Sequence, residues 1–184
     1  MANTERAWVL VDKFEEPPLS DGVERPEMLE FFAGRPMAVV HYKIYGNTPA
    51  RIVSVHVRFH LVNRKDNTSE PDLPDEPVYQ DSSGILRDLD SAFVKAADQE
   101  VHLPVLFEGG YITSVQLTEI GKGTLFPCIY GRVKYWDSFE REHETRFCYI
   151  YRISHGGPFH KGTGKPMFPS EFRHGGPRAY IRNT

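Results

Sequence analysis

The stretch that decides the fold is Gly131-Arg-Val-Lys-Tyr-Trp-Asp-Ser-Phe-Glu-Arg-Glu-His-Glu-Thr-Arg-Phe-Cys-Tyr-Ile-Tyr151. Apolar and aromatic residues that favour strands flank a short polar segment, which is typical of two strands joined by a tight turn. We therefore predict a hairpin of strands over residues 124–136 and 143–153. Because side chains alternate along a strand, this hairpin has two faces. One face carries Val133, Tyr135, Thr145, Phe147 and Tyr149, and the other carries Cys128, Arg132, Cys148 and Ile150.

The two cysteines share a face of this hairpin in either plausible register. One register places Cys128 directly opposite Cys148, and a shift of two residues leaves them diagonal. A cross-strand disulfide is therefore conceivable. We favour two buried thiols that pack as small hydrophobic side chains, because the chain shows no export signal. Two cysteines are too few for a disulfide framework, and their spacing fits no zinc motif.

Elsewhere in the chain, apolar runs and alternation predict further strands at 7–14, 37–45, 51–62, 101–107 and 111–117. A short helical turn is predicted over 26–32. Apolar residues recur at helical spacing from Ile85 to Ala97, so this segment is predicted as the main helix, with Ser82 or Ser83 as its cap.

The segment 51–62 shows the clearest alternation outside the hairpin. The sequence places Val53, Val55, Val57, Phe59 and Leu61 on one face of a half-buried strand and Ile52, Ser54, His56, Arg58 and His60 on the other. The residues of Gly46-Asn-Thr-Pro49 suit a turn before this strand. The strands on either side of that turn form either a hairpin or a corner between two sheets.

Seven strands with turn signals between them predict a mainly β fold, an immunoglobulin-like antiparallel β-sandwich of about seven strands with one helix. At 184 residues the chain is expected to be one domain, residues 1–184. Residues 66–83 are expected to form a flexible acidic loop. Residues 154–184 form a Gly/Pro/His-rich C-terminal segment, in which His155-Gly-Gly-Pro158 and His174-Gly-Gly-Pro177 are interpreted as turns.

The hairpin resembles a group of uncharacterised bacterial proteins, usually membrane-anchored, that carry a β-sandwich domain. The shared pattern is Gly131, Tyr135, Asp137, Phe139, His143, Thr145, Phe147 and Cys148. Weaker similarities lie in Glu5–Val9, Gly34–Met37, Tyr45–Ala50 and Gly176–Tyr180. The resemblance implies a sandwich and membrane association, but no activity and no catalytic residues.

Two features depart from that group. The chain begins almost where the domain would begin, without the group's membrane helix, so the resemblance implies a shortened or soluble member. Glu140 stands where the group's turn usually has glycine. A non-glycine residue at positive φ costs about 1 kcal/mol, so either Glu140 bears that strain or the turn has another shape.

The sequence contains no motif for a known catalytic chemistry. Nucleophile elbows, phosphate loops and dinucleotide fingerprints are absent, so we predict no enzyme, no catalytic residues, no cofactor and no metal. His56 and His60 would lie about 13 Å apart on one strand, too far to share an ion. His143 is expected to pair with Asp137 or Glu142.

The expected function is therefore a non-catalytic protein-binding or structural module that binds a partner protein or itself, and the resemblance adds an association with a membrane. The predicted interaction surface is Arg132, Arg146, His155, His174 and Tyr180, together with the exposed edge of the hairpin and the C-terminal segment. The net charge of -3 and the glutamates among the basic residues argue against nucleic acid.

The alternative function is a small-ligand or metal-dependent enzyme that uses the C-terminal histidines His155, His160 and His174. The expected location is the cytoplasm. The alternative location, the cytoplasmic face of the inner membrane, is implied only by the resemblance to anchored relatives.

Overall fold

The computed structural model describes residues 7–15, 37–79, 87–95, 100–152 and 171–183, in which strands form two antiparallel sheets. In chain order the elements are β1 (Trp8–Glu15), β2 (Met37–Tyr45), β3 (Ala50–Asn63), β4 (Arg87–Lys95), β5 (Glu100–Leu106), α1 (Ser114–Lys122), β6 (Leu125–Trp136), β7 (Glu142–Arg152), β8 (Glu171–His174), a 3-10 turn (Arg178–Tyr180) and β9 (Arg182–Asn183). The predicted helical turn at 26–32 lies outside the described residues.

The smaller sheet has the strand order β1-β2-β5, and the larger has the order β4-β3-β6-β7-β8, with β9 also paired to β7. Inward-facing side chains of both sheets form one core, in which the Tyr42 and Phe147 rings meet edge to face at 6.0 Å. The Thr145 hydroxyl donates to the Val9 carbonyl oxygen at 2.6 Å and joins the sheets directly. The predicted mainly β sandwich is confirmed, with nine strands in the described residues rather than about seven.

The predicted hairpin is confirmed as β6 and β7. Cys128 lies opposite Ile150, and Tyr130 lies opposite Cys148, so the two cysteines are diagonal. The two faces are also as predicted. Ile129, Val133, Tyr135 and Phe147 join the core between the sheets. The other face carries Cys128, Tyr130, Cys148 and Ile150, which form a second apolar cluster with Val62, Leu73, Phe126 and Tyr180.

That second cluster, which we call the outer cluster, lies on the far face of the larger sheet. Residues after β3 and residues before β9 cover it, through Leu73 from one side and Tyr180 from the other. Part of the predicted acidic loop thus runs against the sheet, where Pro71 bridges to Arg64 and the Asp72 N–H donates to the Asn63 carbonyl at 2.8 Å.

Strand β3 departs from simple alternation at one residue. Ile52 lies opposite Tyr135 and Ser54 lies opposite Lys134, so Val53 is an extra residue, a β-bulge. The bulge turns Ile52 into the core between the sheets. The prediction that Ile52 shares a face with Ser54, opposite to Val55 and Val57, is therefore wrong.

The turn at Gly46 connects different sheets, since β2 belongs to the smaller sheet and β3 to the larger. Of the two alternatives, the structure shows the corner. Gly46 has φ +105, a conformation that glycine adopts without steric cost.

Two predicted elements have the wrong type. The predicted strand at 111–117 is overlapped by helix α1. Thr113 caps α1: its hydroxyl accepts from the Gln116 N–H at 3.2 Å, while the Gln116 side-chain oxygen accepts from the Thr113 N–H at 2.8 Å. Gly123, at φ +68, ends the helix. This capping box and C-terminal glycine outweigh the strand propensity of the apolar residues.

The second wrong element is the predicted helix over 85–97, where residues 87–95 form strand β4. β4 pairs with β3 from Ala50 to Val55 and supplies hydrogen-bond partners to an edge that would otherwise be open. Tertiary pairing here overrides the helical spacing. The remainder of the predicted helix, with Ser82 and Ser83, lies outside the described residues.

Gly131 lies where the three central strands leave no room for a side chain, with Val57 opposite it on β3 and Phe147 opposite it on β7. A Cβ atom at residue 131 would lie 2.4 Å from the His56 carbonyl oxygen and 2.7 Å from the Phe147 ring. Backbone cannot yield cheaply, so Gly131→Ala is expected to lower the free energy of unfolding by about 1–3 kcal/mol or more.

The matched control is Gly121→Ala in α1, where an added Cβ meets nothing within 4 Å. Alanine favours a helix over glycine, so this variant should be about 0.5–1 kcal/mol more stable than the wild type. Urea unfolding measures the free energy of unfolding of both variants and of the wild type. A Gly131→Ala protein as stable as the wild type would show that the strands do not approach this closely.

Candidate functional site

Two residues of the predicted interaction surface, Arg132 and Arg146, lie directly opposite each other on β6 and β7. Their guanidinium carbons are 4.6 Å and 6.0 Å from the centre of the Tyr79 ring, so both cations contact one aromatic side chain. Glu144 forms ion pairs with both, at 3.8 Å to Arg132 and 2.5 Å to Arg146. The structure brings the two arginines together around one glutamate and one tyrosine ring.

The other predicted surface residues are placed differently. Tyr180 is 0 % exposed and meets the Tyr130 ring edge to face at 4.9 Å, so its side chain belongs to the outer cluster and not to an exposed surface. His174 contacts the Tyr149 ring at 5.5 Å. Tyr149 packs against the core between the sheets, on the face opposite to Arg146. His155 lies outside the described residues, as does His160.

The predicted exposed edge of the hairpin is wrong. The outer edge of β7 pairs with β8 from Tyr149 to Arg152 and with β9 at Thr145 and Arg146. These pairings use the backbone groups that an added partner strand would need. A partner therefore has no continuous open edge along this part of β7.

A partly buried ion pair anchors the second half of β3. Arg58 donates two hydrogen bonds to Glu108, both at 2.8 Å, and one to the Tyr130 hydroxyl at 3.2 Å. Hydrogen bonding to Glu108 outweighs burial and raises the pKa of the Arg58 guanidinium. Burial lowers the pKa of His60, whose Nδ1 lies 3.9 Å from Glu108. This network joins the β5–α1 turn to the larger sheet.

The β6–β7 turn is organised by a buried carboxylate. Asp137 accepts hydrogen bonds from the backbone N–H groups of Phe139 and Arg141, at 2.9 and 3.0 Å, and lies 2.8 Å from His143 Nε2. His143 thus pairs with Asp137, the first of its two predicted partners. Glu140 has φ +59, so it adopts the strained conformation that glycine would accept at less cost.

The cysteines are free thiols, buried on the outer face of the hairpin. Burial raises the pKa of Cys148 to about 12 and raises the pKa of Cys128 as well. Both side chains are therefore protonated at neutral pH, and a protonated thiol is a poor nucleophile and a poor metal ligand. Their environment fits a packing role.

A cluster of possible metal ligands lies on the outer face of the smaller sheet. His41 on β2 is directly opposite His102 on β5, and Glu100 precedes His102 by two residues on the same face. One ligand atom from each residue lies within 4.8 Å of the others. The pattern of each strand separately gives no sign of this group, because only the pairing of β2 with β5 brings it together.

An exposed apolar surface lies where the chain leaves β5 and enters α1. Tyr111 is 60 % exposed, Val115 is 70 % exposed and Leu117 is 44 % exposed. We call these three residues the helix patch. The segment 109–118 around them contains no charged residue, and within α1 only Ile120 is buried. The prediction of a strand over 111–117 did not anticipate this exposed surface, because half of the side chains of such a strand would be buried.

No protein-family model matches the chain, and no curated protein matches it. Among the elements that the structure describes, no helix has the length and apolar content needed to cross a bilayer.

The Asp137 carboxylate generates a prediction about pH. Burial opposes its ionisation, but the hydrogen bonds from His143, Arg141 and Phe139 prevail, so the pKa of Asp137 lies below its ordinary value. A lowered pKa in the folded state stabilises the fold above the unfolded pKa of about 3.9, and this contribution is lost as the pH falls through the folded pKa. Asp137→Asn should lower the free energy of unfolding by about 1–3 kcal/mol at pH 7.

The difference between wild type and Asp137→Asn should shrink below about pH 4, because the wild-type carboxyl then also loses its charge. Urea unfolding at neutral and acid pH measures both values. Asp66→Asn, at an exposed loop position, is the matched control and should change stability by less than about 0.5 kcal/mol. A difference that stays constant across the acid range would contradict this role of Asp137.

Proposed function

We propose that this chain is a non-catalytic β-sandwich module that binds a protein through the helix patch. The observation that carries the proposal is the exposure of Tyr111, Val115 and Leu117 within seven residues that contain no charge. Aromatic and aliphatic side chains of this kind are what a protein partner buries at the centre of an interface. The occupant that fits is an uncharged, apolar surface of another protein.

The charges of the larger sheet favour a protein partner over a nucleic acid. A nucleic-acid surface needs basic side chains available to phosphates. Here Arg58 pairs with Glu108, Lys134 with Glu142, and both Arg132 and Arg146 with Glu144. These pairs engage Arg132, Lys134 and Arg146 of the hairpin, and the net charge of -3 also disfavours a polyanion.

The order of the strands supports an immunoglobulin-like module, a class that often serves recognition. The first, second and fifth strands form one sheet, and the fourth, third, sixth and seventh follow one another in the other. Immunoglobulin sandwiches use the corresponding order, with strands A, B and E facing strands C, F and G and an added C′ strand beside C. Fold alone assigns no partner, so the helix patch carries the proposal.

The resemblance of the hairpin extends the proposal to location. A cytoplasmic module, or one held at the cytoplasmic face of the inner membrane, would present the helix patch to proteins of the same assembly. We also propose that Arg132 and Arg146 have a packing role on the hairpin, where they contact the Tyr79 ring, since both already form ion pairs with Glu144.

The double variant Tyr111→Ser/Val115→Lys tests the helix patch. It removes two exposed apolar side chains and adds a charge where none stands, so it should weaken partner binding at least about tenfold while leaving the melting temperature unchanged. Phe139→Ser is the matched control, because Phe139 is 54 % exposed on the β6–β7 turn, away from the helix patch in sequence. That variant should bind as the wild type does.

The measurement proceeds in two stages. Light scattering after size exclusion shows whether the wild-type chain self-associates and whether the double variant is monomeric. If the wild type is monomeric, cross-linking in cells of the source organism followed by quantitative mass spectrometry compares the proteins captured by the wild type, the double variant and Phe139→Ser. Calorimetry with the purified partner then measures how much affinity the double variant has lost. The proposal is wrong if the double variant self-associates, or captures partner proteins, to the same extent as the wild type.

A further inference from the structure

We propose that His41, Glu100 and His102 form a binding site for one zinc-class divalent metal ion on the outer face of the smaller sheet. The site is independent of the helix patch, since it is built on β2 and β5 and not on α1. Its ligand set is two imidazoles and one carboxylate, a combination that proteins use for Zn²⁺.

The pairing of β2 with β5 positions the three side chains. His41 and His102 are cross-strand neighbours, and their ring centres lie 4.2 Å apart with the planes at 55°. Glu100 Oε2 lies 3.5 Å from His102 Nε2. With one ligand atom from each residue within 4.8 Å of the others, modest side-chain rotation can bring all three to about 2.0–2.2 Å from one ion.

Burial differs among the ligands in a way that suits metal entry from solvent. His41 is 1 % exposed and forms the floor of the site. The side chains of His102 and Glu100 are 55 % and 37 % exposed and form its rim. A buried imidazole on the middle strand is held by its neighbours, so one ligand is preorganised before the ion arrives.

The neighbouring charge on β2 is positive and opposes cation binding, so the three ligands must outweigh it. Lys43 lies directly opposite Glu100, and its ammonium group is 5.4 Å from the centre of the Tyr45 ring. Three protein ligands leave a fourth tetrahedral position for water or for a group of a bound molecule. A metal ion bound at this site would therefore keep one coordination position open.

The binding test uses the purified full-length chain, with any affinity tag removed, and titrates Zn²⁺ by calorimetry and Co²⁺ by visible absorption. The wild type should bind one equivalent, and Co²⁺ should give the absorption bands of a four-coordinate site, which Zn²⁺ then removes. His102→Ala should weaken Zn²⁺ binding by more than about 100-fold, since even the loss of a residue that only supports a ligand costs about 10–100-fold.

Three further variants make the result specific. Glu100→Gln should weaken binding in the same direction. His174→Ala, which removes an exposed histidine from β8 in the other sheet, should bind Zn²⁺ as the wild type does. The Tyr111→Ser/Val115→Lys variant should also bind normally, which separates this inference from the proposed function. His102 and Glu100 are exposed, so their variants are expected to keep the wild-type melting temperature without metal.

The proposal is overturned if the wild type takes up no stoichiometric Zn²⁺ or Co²⁺. It is equally overturned if His102→Ala binds as well as the wild type, or if His174→Ala loses as much affinity as His102→Ala. A wild type in which added Zn²⁺ raises the melting temperature, while His102→Ala shows no such rise, supports it.

Discussion

One register among β3, β6 and β7 determines where every side chain of the larger sheet lies. Val57, Gly131 and Phe147 stand in line across the three strands, and the next row contains Arg58, Tyr130 and Cys148. Side chains alternate with a period of two, so a slip of one residue would exchange the core with the outer cluster. The missing side chain at Gly131 lets the Phe147 ring cross the strand and reach Tyr42 of the other sheet.

The sequence allowed the hairpin to be predicted in detail because its information is local. Residues close in the chain create its strands, its faces and the pair of Asp137 with His143. The choice between the two cysteine registers stayed open, since both give the same faces. Glu140 at φ +59 shows that the turn keeps the shape that glycine would favour, at the cost of strain.

The features that were mispredicted depend on distant partners or on competing local signals. β4 is a strand because the edge of β3 pairs with it, and Ile52 is buried because Val53 forms a bulge. In α1 the capping box of Thr113 and Gln116 was readable, but the apolar residues beside it favoured a strand. The His41–Glu100–His102 group depends on strands separated by some sixty residues of chain, and nothing in either strand predicts the register between them.

The proposed functions follow from the same architecture. β8 and β9 pair with β7, and Arg132 and Arg146 of the hairpin contact Glu144 and Tyr79. The three exposed apolar side chains that lie close together in sequence are those of the helix patch. The smaller sheet presents its histidines on the face turned away from the core. Recognition through the helix patch and metal binding on β2 and β5 thus use separate surfaces of one sandwich.

The register of the three central strands is tested most directly by backbone proton contacts measured by NMR on the isotope-labelled chain. The structure requires cross-strand contacts that link Arg58 to Tyr130 and Tyr130 to Cys148, together with contacts between Cys128 and Ile150. Contacts that link Cys128 to Cys148 as directly opposed residues would show the other register and contradict the account.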